Sequence, residues 1–95
     1  MKSDLPMMPI GEVRYRERAR VRGRVRSVRI TPFGDTSTLE AVVADDTGGI
    51  LVVFYGRPKI GGIDLGRRIE IQGMAGLHRT YLAVINPEYT LLPAA

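Results

Sequence analysis

The chain has no cysteine and no tryptophan, one histidine (His78), and two lysines against twelve arginines. Without cysteine there are no disulfides and no thiolate metal sites, and a reducing compartment is the simplest expectation. A single histidine leaves no cluster of metal ligands, so neither a metal nor a cofactor is expected. No window approaches the run of about eighteen apolar residues that a membrane span needs. The opening MKSDLPMMPI sets an acid and two prolines where a signal peptide requires an unbroken apolar core. A cytoplasmic protein with no membrane partner is the expectation. Phosphate-loop patterns are missing too: neither G-x-x-x-x-G-K-[ST] nor G-x-G-x-x-G occurs, although four glycines lie between Gly56 and Gly66. Ser3, Ser27 and Ser37 stand in no order with His78 and an aspartate that suggests a catalytic triad. The paired Asp45 and Asp46 belong to a turn sequence, DDTGG, in which carboxylates accept backbone hydrogen bonds. Enzymatic activity is not expected.

What the chain does have is a concentration of positive charge. Its 95 residues, 44% hydrophobic and 25% charged, suit one globular domain and are too few for a second. Fourteen basic against ten acidic residues give a net charge of +4, and eight of the fourteen lie between Arg14 and Arg29. A local excess of this kind attracts a polyanion; the competing account is a strand face that is merely solvated. The preponderance of arginine over lysine fits a G- and C-rich, bacterial-like genome.

The organising stretch is Arg14 to Ile30, RYRERARVRGRVRSVRI. Every even position from Arg18 to Arg26 is arginine, whereas Ala19, Val21, Gly23 and Val25 fill the odd ones. That period of two predicts a half-buried strand, with core residues on one face and a cationic ladder on the other. Gly23 in mid-strand predicts a bend or a close backbone approach, and the change of phase at Ser27-Val28 predicts a bulge.

Residues 1–12 read as a flexible lead, with Ile10 to Val13 turning across one end of the fold, 13–92 as the domain and 93–95 as a tail. Thr31 to Ser37 reads as a loop carrying an aromatic, Phe33. Leu39 to Ala44 and Ile50 to Tyr55 flank the DDTGG turn and predict a hairpin. Gly56 to Gly66 has too many breakers for more than a helical turn. Arg67 to Ala75 and Thr80 to Ile85 are two further strands around a turn at Gly76 to Arg79, and Tyr89 to Leu92 is a short closing segment. Within the hairpin, Leu51, Val53 and Tyr55 are assigned to the core and Val52 and Phe54 to the outside. Val21, Val25, Ile69, Ile71, Leu82 and Val84 complete the predicted interior.

These elements predict an all-β, five-stranded, closed antiparallel Greek-key barrel with little or no helix, of the OB type; an SH3-like barrel is the alternative. The chain resembles the OB-fold nucleic-acid-binding family, including the anticodon-binding domains of class II aminoacyl-tRNA synthetases and the wedge domain of the RecG helicase. The residues that carry the resemblance are Val21-Arg22-Gly23-Arg24-Val25, Ala44-Asp45-Asp46-Thr47-Gly48, Ile50 to Phe54, the G-x-x-I-x-I-x-G run from Gly66 to Gly73, and Asn86-Pro87-Glu88-Tyr89. They span roughly residues 13–92. The resemblance implies that nucleic acid crosses the outer face of the first three strands, between the loops joining strands one to two and four to five. It places Arg24, Arg26 and Arg29, Glu40 and Val42, and Val52 and Phe54 on that face, rimmed by Phe33, His78, Arg79 and Tyr81. Arg20, Arg22 and Arg57 extend the candidate basic surface. Valines and the lack of tryptophan argue against base-specific reading.

The expected function is therefore binding of single-stranded DNA or RNA with little sequence specificity. Arginines would hold the backbone, and Phe33, Phe54 and Tyr81 would stack bases. The alternative is a protein-interaction module docking through Val42, Val52 and Phe54.

Overall fold

A computed structural model describes residues 5–56 and 60–93. After a 3-10 turn, Ile10–Glu12, the chain forms strands β1 (Arg18–Phe33), β2 (Thr36–Asp45), β3 (Gly48–Tyr55), β4 (Arg68–His78), β5 (Tyr81–Ile85) and β6 (Glu88–Leu91). Arg16 sits in the left-handed region at φ 71°, so the extended run begins at Arg18 rather than Arg14. At its far end β1 replaces the loop expected from Thr31. The strands continue to Phe33 and resume at Thr36, leaving Gly34 and Asp35 as the turn.

Gly23 and its neighbour Arg24 decide the architecture. Arg18 to Arg24 pair with Met74 to Arg68 of β4, and Arg24 to Phe33 pair with Ala44 to Thr36 of β2, so Arg24 belongs to both ladders. A Cβ on Gly23 would stand 2.5 Å from the Ala44 carbonyl oxygen, which explains why glycine marks the bend. The register shifts between Val25 and Ser27, making Arg26 the bulged residue.

The strands close in the order β1-β2-β3-β5-β4-β1, which is the OB topology. All pairings in this ring are antiparallel except a three-residue parallel contact of Leu51 to Val53 with Ala83 to Ile85. Within the expected closed barrel of the OB type, β3 and β5 are the one pair in the ring that runs parallel. β6 lies along β4 on the side away from β1. Among the described residues the 3-10 turn is the single helical element.

Val21 and Val25 of β1 face into one core with Ile69, Ile71 and Val84. Leu82 packs partly buried against that core. The assignment in β3 was inverted: Ile50, Val52 and Phe54 point inward and Leu51 and Tyr55 lie outside, half-buried. The pairing settles this parity, because Phe54, Val52 and Ile50 stand opposite Leu39, Ala41 and Val43, which share the core. Phe54, 1% exposed, meets the edge of Tyr89 with ring centroids 5.5 Å apart. Val53 is fully buried although it sits opposite Glu40, on the outer side of the sheet.

Ile10 and Val13, with Ile60 and Ile63 from the β3–β4 connection, complete the core. The segment read as a lead is docked on the barrel: the Met8 N–H donates to the Arg20 carbonyl, and the Ile10 N–H donates to Asp45 Oδ2 at 3.0 Å. Asp45 also accepts from Thr47 N–H, the Thr47 hydroxyl and Gly48 N–H. Burial pulls the Asp45 carboxyl upward, but the bonds from Ile10, Thr47 and Gly48 together hold it below the usual carboxylate range. Its work is structural, as the turn sequence implied.

Candidate nucleic-acid interface

The arginine alternation in β1 does put the side chains outside, but the bend and bulge divide them among three surroundings. Arg20 and Arg22 flank Glu70 of the neighbouring β4. Arg20 Nε donates to Oε2 at 3.0 Å and Arg22 Nε donates to Oε1 at 3.1 Å. The hydrogen bond from Arg20, against the opposing effect of burial and with the further help of Arg22 and both positive charges, holds the Glu70 carboxyl below its ordinary range. Arg20 is also tied to the Leu5 carbonyl through Nη1. Glu70 therefore ties both rungs in place and offsets one of their two positive charges.

Arg24 and Arg26 are exposed beside the bend. Together with Arg22 and Arg68 they line a cleft of about 360 Å³, faced by Asp45 and Asp46. Arg24 donates to the Gly66 carbonyl, while Arg26 makes no hydrogen bond or ion pair with the described residues. The alternation of β1 could not show the part of Arg68, which arrives from β4 through pairing with Arg24.

Beyond the bulge, Arg29 opens onto a second and larger depression on the outer face of β1, β2 and β3. This groove, about 770 Å³, is floored by Glu40, Val42 and Leu51 and bounded by Arg29 on one side and Tyr81 and Leu82 on the other. Tyr81 is 68% exposed, a flat ring presented at the rim. The hairpin that carries it turns through Arg79 and Thr80, both left-handed at φ 51° and 71° with no glycine to ease the turn.

One polar cluster holds that hairpin against the sheet. His78, expected at an open rim, is 7% exposed, and its Nδ1 lies 2.8 Å from the Tyr55 hydroxyl. Its Nε2 faces Glu40 Oε2 at 3.7 Å, and Glu40 Oε1 faces Arg29 at 3.6 Å. Sequence reasoning misses this cluster because Tyr55 and His78 are distant along the chain and the alternation expected in the hairpin puts Tyr55 in the core. The signal that would have found it is the lone acid in the otherwise apolar run LEAVVA, which pairs directly with Arg29 and Val53.

Of the expected interface, Arg29, Glu40, Val42 and Tyr81 meet around one groove, and Arg24 and Arg26 adjoin the cleft at the bend. Arg79 is exposed at the hairpin turn. Val52 and Phe54 are removed from the interface, since both are in the core, and Leu51 takes their place on the outer face. Arg57 and the Phe33 side chain lie outside the described residues. Among the described residues no group of three or more His, Cys, Asp or Glu is placed to hold a metal, and no helix is long and apolar enough to cross a membrane.

No protein-family model matches the chain, and no curated protein matches it. Among solved structures, it resembles the solution NMR structure of the second OB-fold domain of replication protein A from Methanococcus maripaludis. The TM-score is 0.73 at 14% sequence identity, with 95% of this chain and 98% of that chain covered. A likeness at this identity is one of fold: the chain is an OB barrel, and what the barrel does rests on its own surface.

Proposed function

We propose that this protein binds single-stranded nucleic acid, DNA or RNA, across the outer face of β1 to β3, and that binding is its whole activity. The observation that carries the reading is the meeting of an exposed aromatic, Tyr81, and an exposed guanidinium, Arg29, on either side of one groove floored by Val42, Leu51 and Glu40. A flat ring for a base and a cation for a phosphate are the two elements that a binder of single strands requires. The cleft of Arg22, Arg24, Arg26 and Arg68 supplies further cations where β1 bends. A fold neighbour that is a domain of replication protein A points the same way.

The rival reading, a protein-docking module, loses its basis. Two of the three residues that would form its apolar patch, Val52 and Phe54, face the interior. Titration of an oligothymidine into isotope-labelled protein, followed by amide chemical shifts, separates the two. The backbone signals of Arg29, Val42, Leu51 and Tyr81 should move while those of β6 stay in place. Shifts confined to β6, or no shifts at all at low salt, would refute the proposed surface.

A further inference from the structure

Resting on that reading, we propose that Glu40 and Arg29 make the groove selective for guanine. Glu40 is the one acid among the described residues that line the groove, and it is 6% exposed. Arg29 Nη2 at 3.6 Å and His78 Nε2 at 3.7 Å are both too distant from it for a hydrogen bond. Among the described residues, Glu40 Oε2 and His78 Nε2 have no hydrogen-bond partner. A buried carboxylate with such partners is costly, and in a groove that receives a polyanion it also repels the ligand's phosphates. Both costs are relieved when a base donates hydrogen bonds to it.

The chemistry of the Watson–Crick edges selects the base. Guanine places two adjacent donors, N1–H and N2–H₂, beside an acceptor, O6. The carboxylate would accept from the pair, and Arg29, whose side chain is 67% exposed, is placed to donate to O6. Adenine and cytosine offer an amine beside an unprotonated ring nitrogen, whose lone pair would face the second carboxylate oxygen. Thymine and uracil offer one N–H between two carbonyls. Oε2 is enclosed on the His78 side and Oε1 lies beside Arg29, so the carboxylate accepts from both donors only after turning about its terminal torsion, which is broad in glutamate. Tyr81 at the rim supplies the stacking surface, while His78, held by the Tyr55 hydroxyl, positions the carboxylate from behind.

The test measures binding by fluorescence anisotropy to a short oligothymidine and to the same strand with one central guanine, adenine, cytosine or hypoxanthine. The guanine strand should bind roughly 5- to 100-fold more tightly than the unsubstituted one, the range expected of a bidentate side-chain contact. Hypoxanthine, which keeps O6 and N1–H but lacks the amine, should recover only part of that gain. Glu40→Gln, close in shape but unable to accept from both donors, should close most of the gap between guanine and thymine. The wild-type series decides by itself if the variant does not fold. Equal binding of all strands, or a preference for adenine or cytosine over guanine, overturns the guanine assignment while leaving the binding surface intact. Absence of binding to every strand at low salt refutes the underlying nucleic-acid reading instead.

Discussion

Gly23 packs directly on the Ala44 backbone: a Cβ at this position would lie 2.5 Å from the Ala44 carbonyl oxygen and 2.9 Å from Cγ1 of Val43. The contact lies where β1 leaves β4 for β2, so it bears on closure of the ring as well as on one residue's packing. Gly23→Ala should destabilise the protein by about 1 to 3 kcal/mol, the usual cost of forcing atoms into a filled space. In urea the midpoint should fall with little change in slope. A variant as stable as the wild type would show that the bend does not depend on this approach.

Phe54 and Tyr81 should respond in opposite ways. Phe54 is buried against Tyr89, so Phe54→Ala should cost about 3 to 5 kcal/mol of stability. Tyr81 is exposed at the groove, and Tyr81→Ala should change stability by less than about 0.5 kcal/mol. The same substitution should lose about 1 to 3 kcal/mol of affinity for a single strand through lost stacking. Melting curves and an oligonucleotide titration on both variants check the contrast; an unchanged affinity for Tyr81→Ala would remove the ring from the interface.

Stability should depend on Glu70 in acid. Its carboxyl is held low by the hydrogen bond from Arg20, with Arg22 assisting. A folded-state pKa below the unfolded one gives stabilisation that is fully present above about pH 5 and is lost as pH falls through the lower folded value. Asp45, held low by its own hydrogen bonds, contributes with the same sign. Thermal melts through this range should show a shallower acid limb for Glu70→Gln than for the wild type. Parallel acid limbs would mean that the Arg20 and Arg22 contacts do not favour the ionised carboxyl.

How far the sequence could be read depended on contrast within each strand. β1 was legible because arginine and small apolar residues alternate, so parity, bend and bulge could all be located at Gly23 and Ser27. β3 was not, because Ile50 to Phe54 are apolar at every position and periodicity cannot say which of them face the core; only the register against β2 does. The ladder of five arginines was visible, but the pairing of two of its rungs with an acid was not. Glu70 reaches Arg20 and Arg22 only after the barrel closes. The same holds for the groove, where Tyr55, His78 and Glu40 come from three strands and meet through folding alone.

The most direct test of the central claim is the salt dependence of single-strand binding. Arg24, Arg26 and Arg68 beside the bend, together with Arg29 where no guanine occupies it, are the cations placed to meet phosphates. Three or four such contacts give a slope of log affinity against log salt of about −2 to −3, since each neutralised phosphate on a single strand releases about 0.7 of a counterion. Changing Arg24 and Arg26 together to glutamine keeps both positions polar and should flatten the slope by about 1.4. A slope unaltered by the double substitution, or no salt-dependent binding to any single strand at low ionic strength, would contradict the assignment of this surface to nucleic acid.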